Sequence, residues 1–170
     1  MKKFSKNELV IELLNNNKTQ PKAKYSNNIL LNMLSKVDDD FVATLEPTKN
    51  GFAFNRGSLC ECLVKYAITK DTTKSQANES DLNTTKLSDK ELAFFNLPKS
   101  NNIEIKYSTS FAPATKKTSK AHQTIIVSQL GIHLIESKNL IATDSGKINI
   151  SNQRAKDLIE LKNLEKVLGF

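Results

Sequence analysis

A six-residue segment of the chain combines the alternation of a β-strand with two charged residues of opposite sign. In the segment 103–108, IEIKYS, Glu104 and Lys106 fall on one face of a strand, and Ile103 and Ile105 fall on the other. A carboxylate in this position can bind a hard divalent cation, and an ammonium group about 7 Å further along the strand can orient or help to deprotonate a water beside that cation. The segment therefore predicts metal-assisted hydrolysis.

Catalysis with Mg²⁺ needs more than one carboxylate, so the chain must supply another. Asp81 is the nearest upstream acidic residue in an extended setting, and Glu61 on a helix predicted to start at Ser58 is the next candidate. Each residue also has a purely structural interpretation. Ser58 and Glu61 have the spacing of a helix capping box, Asp81 would be a loop residue, and Glu104 and Lys106 would form an exposed cross-strand ion pair.

Taken in chain order, these residues resemble the motifs of the PD-(D/E)XK nuclease superfamily, also called restriction-endonuclease-like. In that family a Gly-x-x-x-Glu helix precedes an Asp on one strand, and Glu-x-Lys lies on the next strand. Here the segment 57–61 matches the first motif, Asp81 the second, and the segment 104–106 the third. The resemblance covers about residues 50–136, but it lacks the Pro that precedes the Asp in the family.

The resemblance implies a role for each of these residues. Asp81, Glu104 and the backbone carbonyl of Ile105 would hold Mg²⁺ or Mn²⁺, Lys106 would position the attacking water, and Glu61 would support a metal ion or its waters. A polar stretch stands where the family usually has a helix after the Glu-x-Lys strand, so an inactive derivative that only binds its partner is the alternative.

The charge of the chain favours a polyanionic partner. Its 170 residues include 25 Lys and Arg against 18 Asp and Glu, a net charge of +7, and the simplest partner of that kind is nucleic acid. The stretch 107–122 has no acidic residue and contains Lys116, Lys117 and Lys120. Together with the hydroxyl of Ser108, these lysines are predicted to contact phosphates, and the alternative is a solvated loop.

Other features limit the location and the chemistry of the protein. Cys60 and Cys62 are too close in sequence for a disulfide framework, which indicates a reducing compartment and a cytoplasmic location. No run approaches the 18–20 or so apolar residues of a membrane span, so no membrane partner is expected. A Cys-x-Cys pair on a helix disfavours zinc, and isolated glycines exclude a glycine-rich phosphate loop.

The hydrophobic periodicity predicts the elements that position these residues. Capping patterns and apolar spacing indicate five helices: 6–15, 29–37, one of about a dozen residues from Ser58, 88–96, and one from Ser151 with leucines at 158, 161, 164 and 168. Alternating or β-branched runs indicate strands at 41–45, 103–108, 124–127 and 132–135, and a hairpin over 140–150.

These elements predict an α/β (α+β) fold in which a mixed central β-sheet is flanked by helices. Residues 1–40 are expected to form an N-terminal helical arm, and residues 41–170 a nuclease-like core with a C-terminal helix. The leucine stripe of that helix suits packing on the core or a homodimer contact. The predicted function is hydrolysis of DNA phosphodiester bonds. The sequence does not distinguish DNA from RNA as the substrate. The alternative is a non-catalytic basic DNA- or RNA-binding or regulatory protein, including an inhibitor of another nucleic-acid enzyme.

Overall fold

The contacts within the chain divide it into two units. The first comprises Met1–Lys74 with Lys166–Phe170, and the second comprises Ser75–Glu165. The computed structural model describes residues 4–41, 45, 54–73, 79–107, 114–115, 122–140, 147–148, 150 and 153–170. The predicted arm, residues 1–40, lies in the first unit, and its separation from a core at residue 41 stays a prediction.

The first unit begins with a helical pair. Helix α1 spans Lys6–Thr19 and starts at a capping box, in which the Ser5 hydroxyl accepts from the Glu8 N–H and the Glu8 carboxylate accepts from the Ser5 N–H. A 3₁₀ turn at Pro21–Ala23 leads into helix α2, Lys24–Leu34. The capping box is confirmed, but α1 ends four residues later than predicted, and α2 begins five residues earlier and ends three residues earlier.

A buried amide network explains why both helices extend further than the apolar pattern indicates. The fully buried Asn27 donates to the side-chain oxygens of Asn16 and Asn17, at 2.9 and 2.8 Å, and accepts from the Arg56 guanidinium at 3.1 Å. Buried polar groups are tolerated when they are hydrogen-bonded in this way. Apolar periodicity does not register such residues, so the predicted helices stopped at the asparagines.

Helix α3 spans Arg56–Thr69, and its apolar face is confirmed by the burial of Leu59 and Leu63. The predicted start at Ser58 is wrong. Asn55 is the N-cap, because its side-chain oxygen accepts from the Ser58 N–H at 3.2 Å. Glu61 therefore lies beyond the first turn and is not the partner of a capping serine.

The second unit contains a mixed four-stranded sheet in the order β1-β3-β4-β6. Strand β1 is Ile103–Tyr107, β3 is Gln123–Ser128, β4 is Gly131–Glu136 and β6 is Ile159–Glu160. β1 is parallel to β3, whereas β4 is antiparallel to both β3 and β6. Helix α4, Asp89–Phe95, begins at the predicted capping box of Ser88 with Glu91.

Both faces of this sheet bury apolar residues. On the face that carries Ile103, five residues of the three long strands are fully buried: Ile103, Ile105, Ile125, Val127 and Ile132. The opposite face packs Ile126 and Ile135 into a second cluster. It also carries Glu104 and Lys106 on β1, because neighbouring residues of a strand point to opposite faces. The predicted class, α/β with a mixed sheet and helices, is confirmed.

One predicted element is corrected in the C-terminal half, and another falls largely outside the described residues. Residues 141–146 and 149 of the predicted hairpin over 140–150 are not described, and the described strand β5, Lys147–Ile148, pairs antiparallel with β2, Ala114–Thr115. The helix predicted from Ser151 is wrong, since strand β6 precedes a shorter helix α5 at Lys162–Val167. β6 pairs with the edge of β4, and this tertiary pairing overrides the helical spacing of the leucines.

The leucine stripe of the C-terminal segment is used for packing within the chain. Leu161, Leu164 and Leu168 are buried, and Leu158 packs against a cluster that includes Ile126. The predicted strand at 41–45 falls largely outside the described residues, and Phe41 ends a 3₁₀ turn, Asp39–Phe41. No helix in the described part of the chain has the length and apolar character needed to cross a membrane.

Candidate active site

A short antiparallel bridge places Asp81 beside Glu104. Leu82 donates to the Ile103 carbonyl at 3.0 Å, and the Ile103 N–H donates to the Leu82 carbonyl at 3.4 Å. Asp81 is therefore directly opposite Glu104, and residues opposite each other on paired strands point to the same face of a sheet. Leu82 and Ile103 are both fully buried, so the bridge is anchored in the core.

The Asp81 side chain also binds the backbone of β1. Its carboxylate accepts a hydrogen bond from the Ile105 N–H at 2.9 Å. The N–H and C=O of a strand residue point to the same edge of the strand, so the Ile105 carbonyl faces the edge on which Asp81 lies. Asp81, Glu104 and the Ile105 carbonyl, the three predicted metal ligands, thus lie at one edge of β1.

The proximity of the two carboxylates changes the acidity of Glu104. Burial raises the pKa of the Glu104 carboxyl to about 7; the hydrogen bond to Asp81 and the negative charge of Asp81 add to this, whereas the positive charge of Lys106 lowers it. Glu104 therefore keeps its proton to a higher pH than an ordinary glutamate does. Perturbed carboxyls of this kind are frequent at functional sites.

The donor atoms fit a hard divalent cation. Within the described residues no three His, Cys, Asp or Glu side chains form a group that could hold a metal ion. Mg²⁺, however, is bound in proteins through one or two carboxylates with several waters, so two carboxylates and a carbonyl are a sufficient protein contribution. A cation between Asp81 and Glu104 would offset the negative charge of Asp81, which adds to the effect of burial in raising the pKa of Glu104.

A hydroxyl pair borders the site on the neighbouring strand. Thr124 is the β3 partner of Glu104 in the parallel register and is fully buried, and its hydroxyl lies 2.9 Å from that of Ser137. Thr124 therefore lies on the same sheet face as Glu104. The sequence pattern predicts only that Thr124 lies in a strand. Its position beside Glu104 depends on the parallel pairing of β1 with β3, and no local pattern in the sequence indicates that pairing.

The remaining predicted residues fall outside this geometry. Glu61 is half-buried on α3 in the first unit, whereas the bridge and β1 belong to the second unit, so its role stays a prediction. Ser108, Lys116, Lys117 and Lys120 lie outside the described residues. The structure thus brings together four of the predicted residues, namely Asp81, Glu104, Ile105 and Lys106.

Comparisons with protein-family models, with curated proteins and with solved structures found no match to this chain. The chemistry of the site is therefore argued from its own residues.

Proposed function

We propose that the chain is a metal-dependent nuclease that hydrolyses DNA phosphodiester bonds by a PD-(D/E)XK-type mechanism. The observation that carries the proposal is the pairing of Asp81 with Glu104 across the bridge to β1, with the Ile105 N–H bound by Asp81. The resemblance in sequence and this arrangement use the same residues.

In this mechanism each residue of the site has one task. Asp81 and Glu104 hold Mg²⁺ or Mn²⁺ together with the Ile105 carbonyl, and Glu104 must first lose its proton. The bound ion supplies charge stabilisation at the scissile phosphate. Lys106, on the same strand face as Glu104, orients the attacking water and stabilises the negative charge that develops on the phosphate.

Cleavage assays with site variants test this function. Purified protein is incubated with supercoiled plasmid, single-stranded DNA and RNA in Mg²⁺ or Mn²⁺, with EDTA as the metal-free reaction. Glu104→Gln and Lys106→Ala should each lower the cleavage rate by about 10²–10³-fold. The matched controls are Glu12→Gln on α1 and Lys90→Ala, an exposed lysine on α4, and both should retain full activity.

The three substrates also decide between DNA and RNA. Wild-type protein that leaves every substrate intact in both metals would overturn the nuclease proposal. So would cleavage that the Glu104 and Lys106 variants retain, since it would come from another site or from a contaminant.

The net charge of +7 supports a second candidate, a non-catalytic DNA- or RNA-binding or regulatory protein. Such a protein would bind nucleic acid in a salt-dependent manner, and Glu104→Gln would not alter any metal dependence. Gel shifts across a salt series, measured beside the cleavage assay, separate the two candidates. A homodimer and a cytoplasmic location stay predictions.

A further inference from the structure

A cleft of about 390 Å³ lies in the second unit, away from the carboxylate pair. It is bordered by the turn after α4, the start of β3, the end of β4 and the segment that leads into β6. Gln123 and Leu134, which line it, share the sheet face of Ile103, whereas Glu104 points to the opposite face. The cleft is therefore a different site from the one that holds Asp81 and Glu104.

Three carboxamide side chains line this cleft, those of Asn96, Gln123 and Asn139. Asn96 is exposed and Gln123 and Asn139 are half-buried, so their amides are accessible to a ligand in the cleft. Each carboxamide presents a carbonyl acceptor next to an N–H donor.

Apolar side chains complete the lining. Leu97 and Leu134 are buried, and Ile159 is 44% exposed at the rim. Ligand pockets of about 300–1,000 Å³ commonly combine such apolar surface with a few polar groups that fix orientation. A ligand that matches this lining has apolar faces and an edge with adjacent hydrogen-bond donors and acceptors.

A nucleobase has this combination of properties. Carboxamides pair with the N6 and N7 atoms of adenine, and carboxylates, here Glu136 and Asp157, accept from the amino group of cytosine. Apolar side chains pack against the base faces, as they do in pockets that hold an unstacked base. Lys156 at the rim provides a cation for a phosphate attached to the nucleoside.

We infer that this cleft binds a nucleobase, whose edge is recognised by the carboxamides of Asn96, Gln123 and Asn139. The inference rests on the proposed function for the origin of the base, which would belong to a nucleotide of the nucleic-acid substrate. Because the cleft and Glu104 lie on opposite sheet faces, this nucleotide is not the one at the scissile phosphate. A free nucleotide presents the same chemistry and is distinguished by the test.

Binding is measured without catalysis, with the Glu104→Gln protein in EDTA. The ligands are the four ribonucleosides, their 5′-monophosphates and a single-stranded oligonucleotide. Changes in the NMR signals of the three side-chain amides report binding at the cleft. We expect a Kd of about 0.1–1 mM for at least one nucleoside and tighter binding of its 5′-monophosphate. In Lys156→Gln the monophosphate should bind no more tightly than the nucleoside.

Two variants and a control localise the site. Gln123→Ala and Asn139→Ala should each weaken nucleoside binding about tenfold or more, since each removes a hydrogen-bonding partner of the base. Both side chains are only half-buried, so the variants should keep the wild-type backbone spectrum. Gln129→Ala, in the exposed turn between β3 and β4, is the matched control and should bind as the unsubstituted protein does. Asn96 is left unchanged because its φ of 55° disfavours alanine.

The outcomes separate this inference from the proposed function. The inference is overturned if no nucleoside or nucleotide moves the three amide signals, or if Gln123→Ala and Asn139→Ala bind as well as the control. Amide shifts in the Glu104→Gln protein, combined with wild-type protein that cleaves no substrate in Mg²⁺ or Mn²⁺, would support the cleft and overturn the nuclease proposal. If the oligonucleotide moves the amide signals of the cleft, the cleft binds a base of the substrate strand. If only free nucleotides move them, the cleft binds a nucleotide effector.

Discussion

The carboxylate of Asp81 accepts a hydrogen bond from the backbone N–H of Ile105 at 2.9 Å, and this contact fixes the acid pair at the edge of β1. The bond ties the side chain of one potential metal ligand to the backbone of another. Because the Leu82–Ile103 bridge holds the same two segments together, the carboxylates of Asp81 and Glu104 cannot easily move apart. The hydrogen bond to Asp81 and its negative charge therefore add to the effect of burial in raising the pKa of Glu104.

Cleavage should depend on pH through Glu104. Burial and Asp81 raise its pKa to about 7, and the carboxylate form is the one that binds a metal ion. The rate at a subsaturating Mg²⁺ concentration should therefore rise about tenfold per pH unit below pH 7 and level off above it. Initial rates on plasmid between pH 5.5 and 8.5 measure this, and a flat profile would contradict the role of Glu104.

The acidity of Glu104 should respond to its two neighbours in opposite directions. Asp81→Asn removes a negative charge and should lower the pKa of Glu104, whereas Lys106→Met removes a positive charge and should raise it. Side-chain ¹³C NMR of glutamate-labelled protein follows the titration directly. Glu12→Gln, on α1, should leave the Glu104 titration unchanged, and shifts of the same sign in both site variants would refute the assigned neighbours.

The same proton links Glu104 to folding stability. Because the pKa is raised in the folded state, the folded protein binds this proton more tightly than the unfolded chain does. The resulting stabilisation is present below about pH 4.5 and is lost as the pH rises to about 7. Glu104→Gln should thus increase the free energy of unfolding by about 1 kcal/mol at pH 8, after allowance for solvent screening, and change it little at pH 4.

Urea unfolding at the two pH values measures this difference. Glu91→Gln is unsuitable as a control because Glu91 caps α4, whereas Glu12→Gln alters a half-buried glutamate of α1. A Glu104→Gln protein that is less stable than wild type at pH 8 would show that the carboxylate is stabilised in the fold and not strained.

The sequence predicts those parts of this molecule that depend on local patterns. The alternation around Glu104 and Lys106 identified β1, and the pattern of Ser88 with Glu91 identified the start of α4, because each of these signals is contained in a few consecutive residues. The resemblance to the nuclease motifs also grouped Asp81 with Glu104. No local signal, however, indicates that the Asp81 side chain binds the Ile105 N–H.

What the sequence could not predict depends on contacts between distant segments. Asn27 lies inside α2 because Asn16, Asn17 and Arg56 satisfy its amide, and an apolar pattern treats such a residue as a break. Ile159 was placed in a helix because its leucine neighbours have helical spacing, but the edge of β4 provides a strand partner. Both errors occurred where a long-range hydrogen bond decided the local conformation.

The turn between β3 and β4 provides a test of packing against α5. Gly131 has a φ of 114°, and a Cβ atom added there would lie 2.6 Å from Oε1 of Glu165. Gly131→Ala should therefore lower the free energy of unfolding by about 1–3 kcal/mol, from backbone strain and from displacement of the carboxyl.

A double-mutant cycle separates these two contributions. In a Glu165→Ala background the steric conflict disappears while the strain of the positive φ remains, so Gly131→Ala should cost less there than in the wild type. Urea unfolding of the wild type, both single variants and the double variant gives the coupling energy. Equal losses in the two backgrounds would mean that the carboxyl yields at no cost, and the destabilisation would then come from the backbone conformation of Gly131 alone.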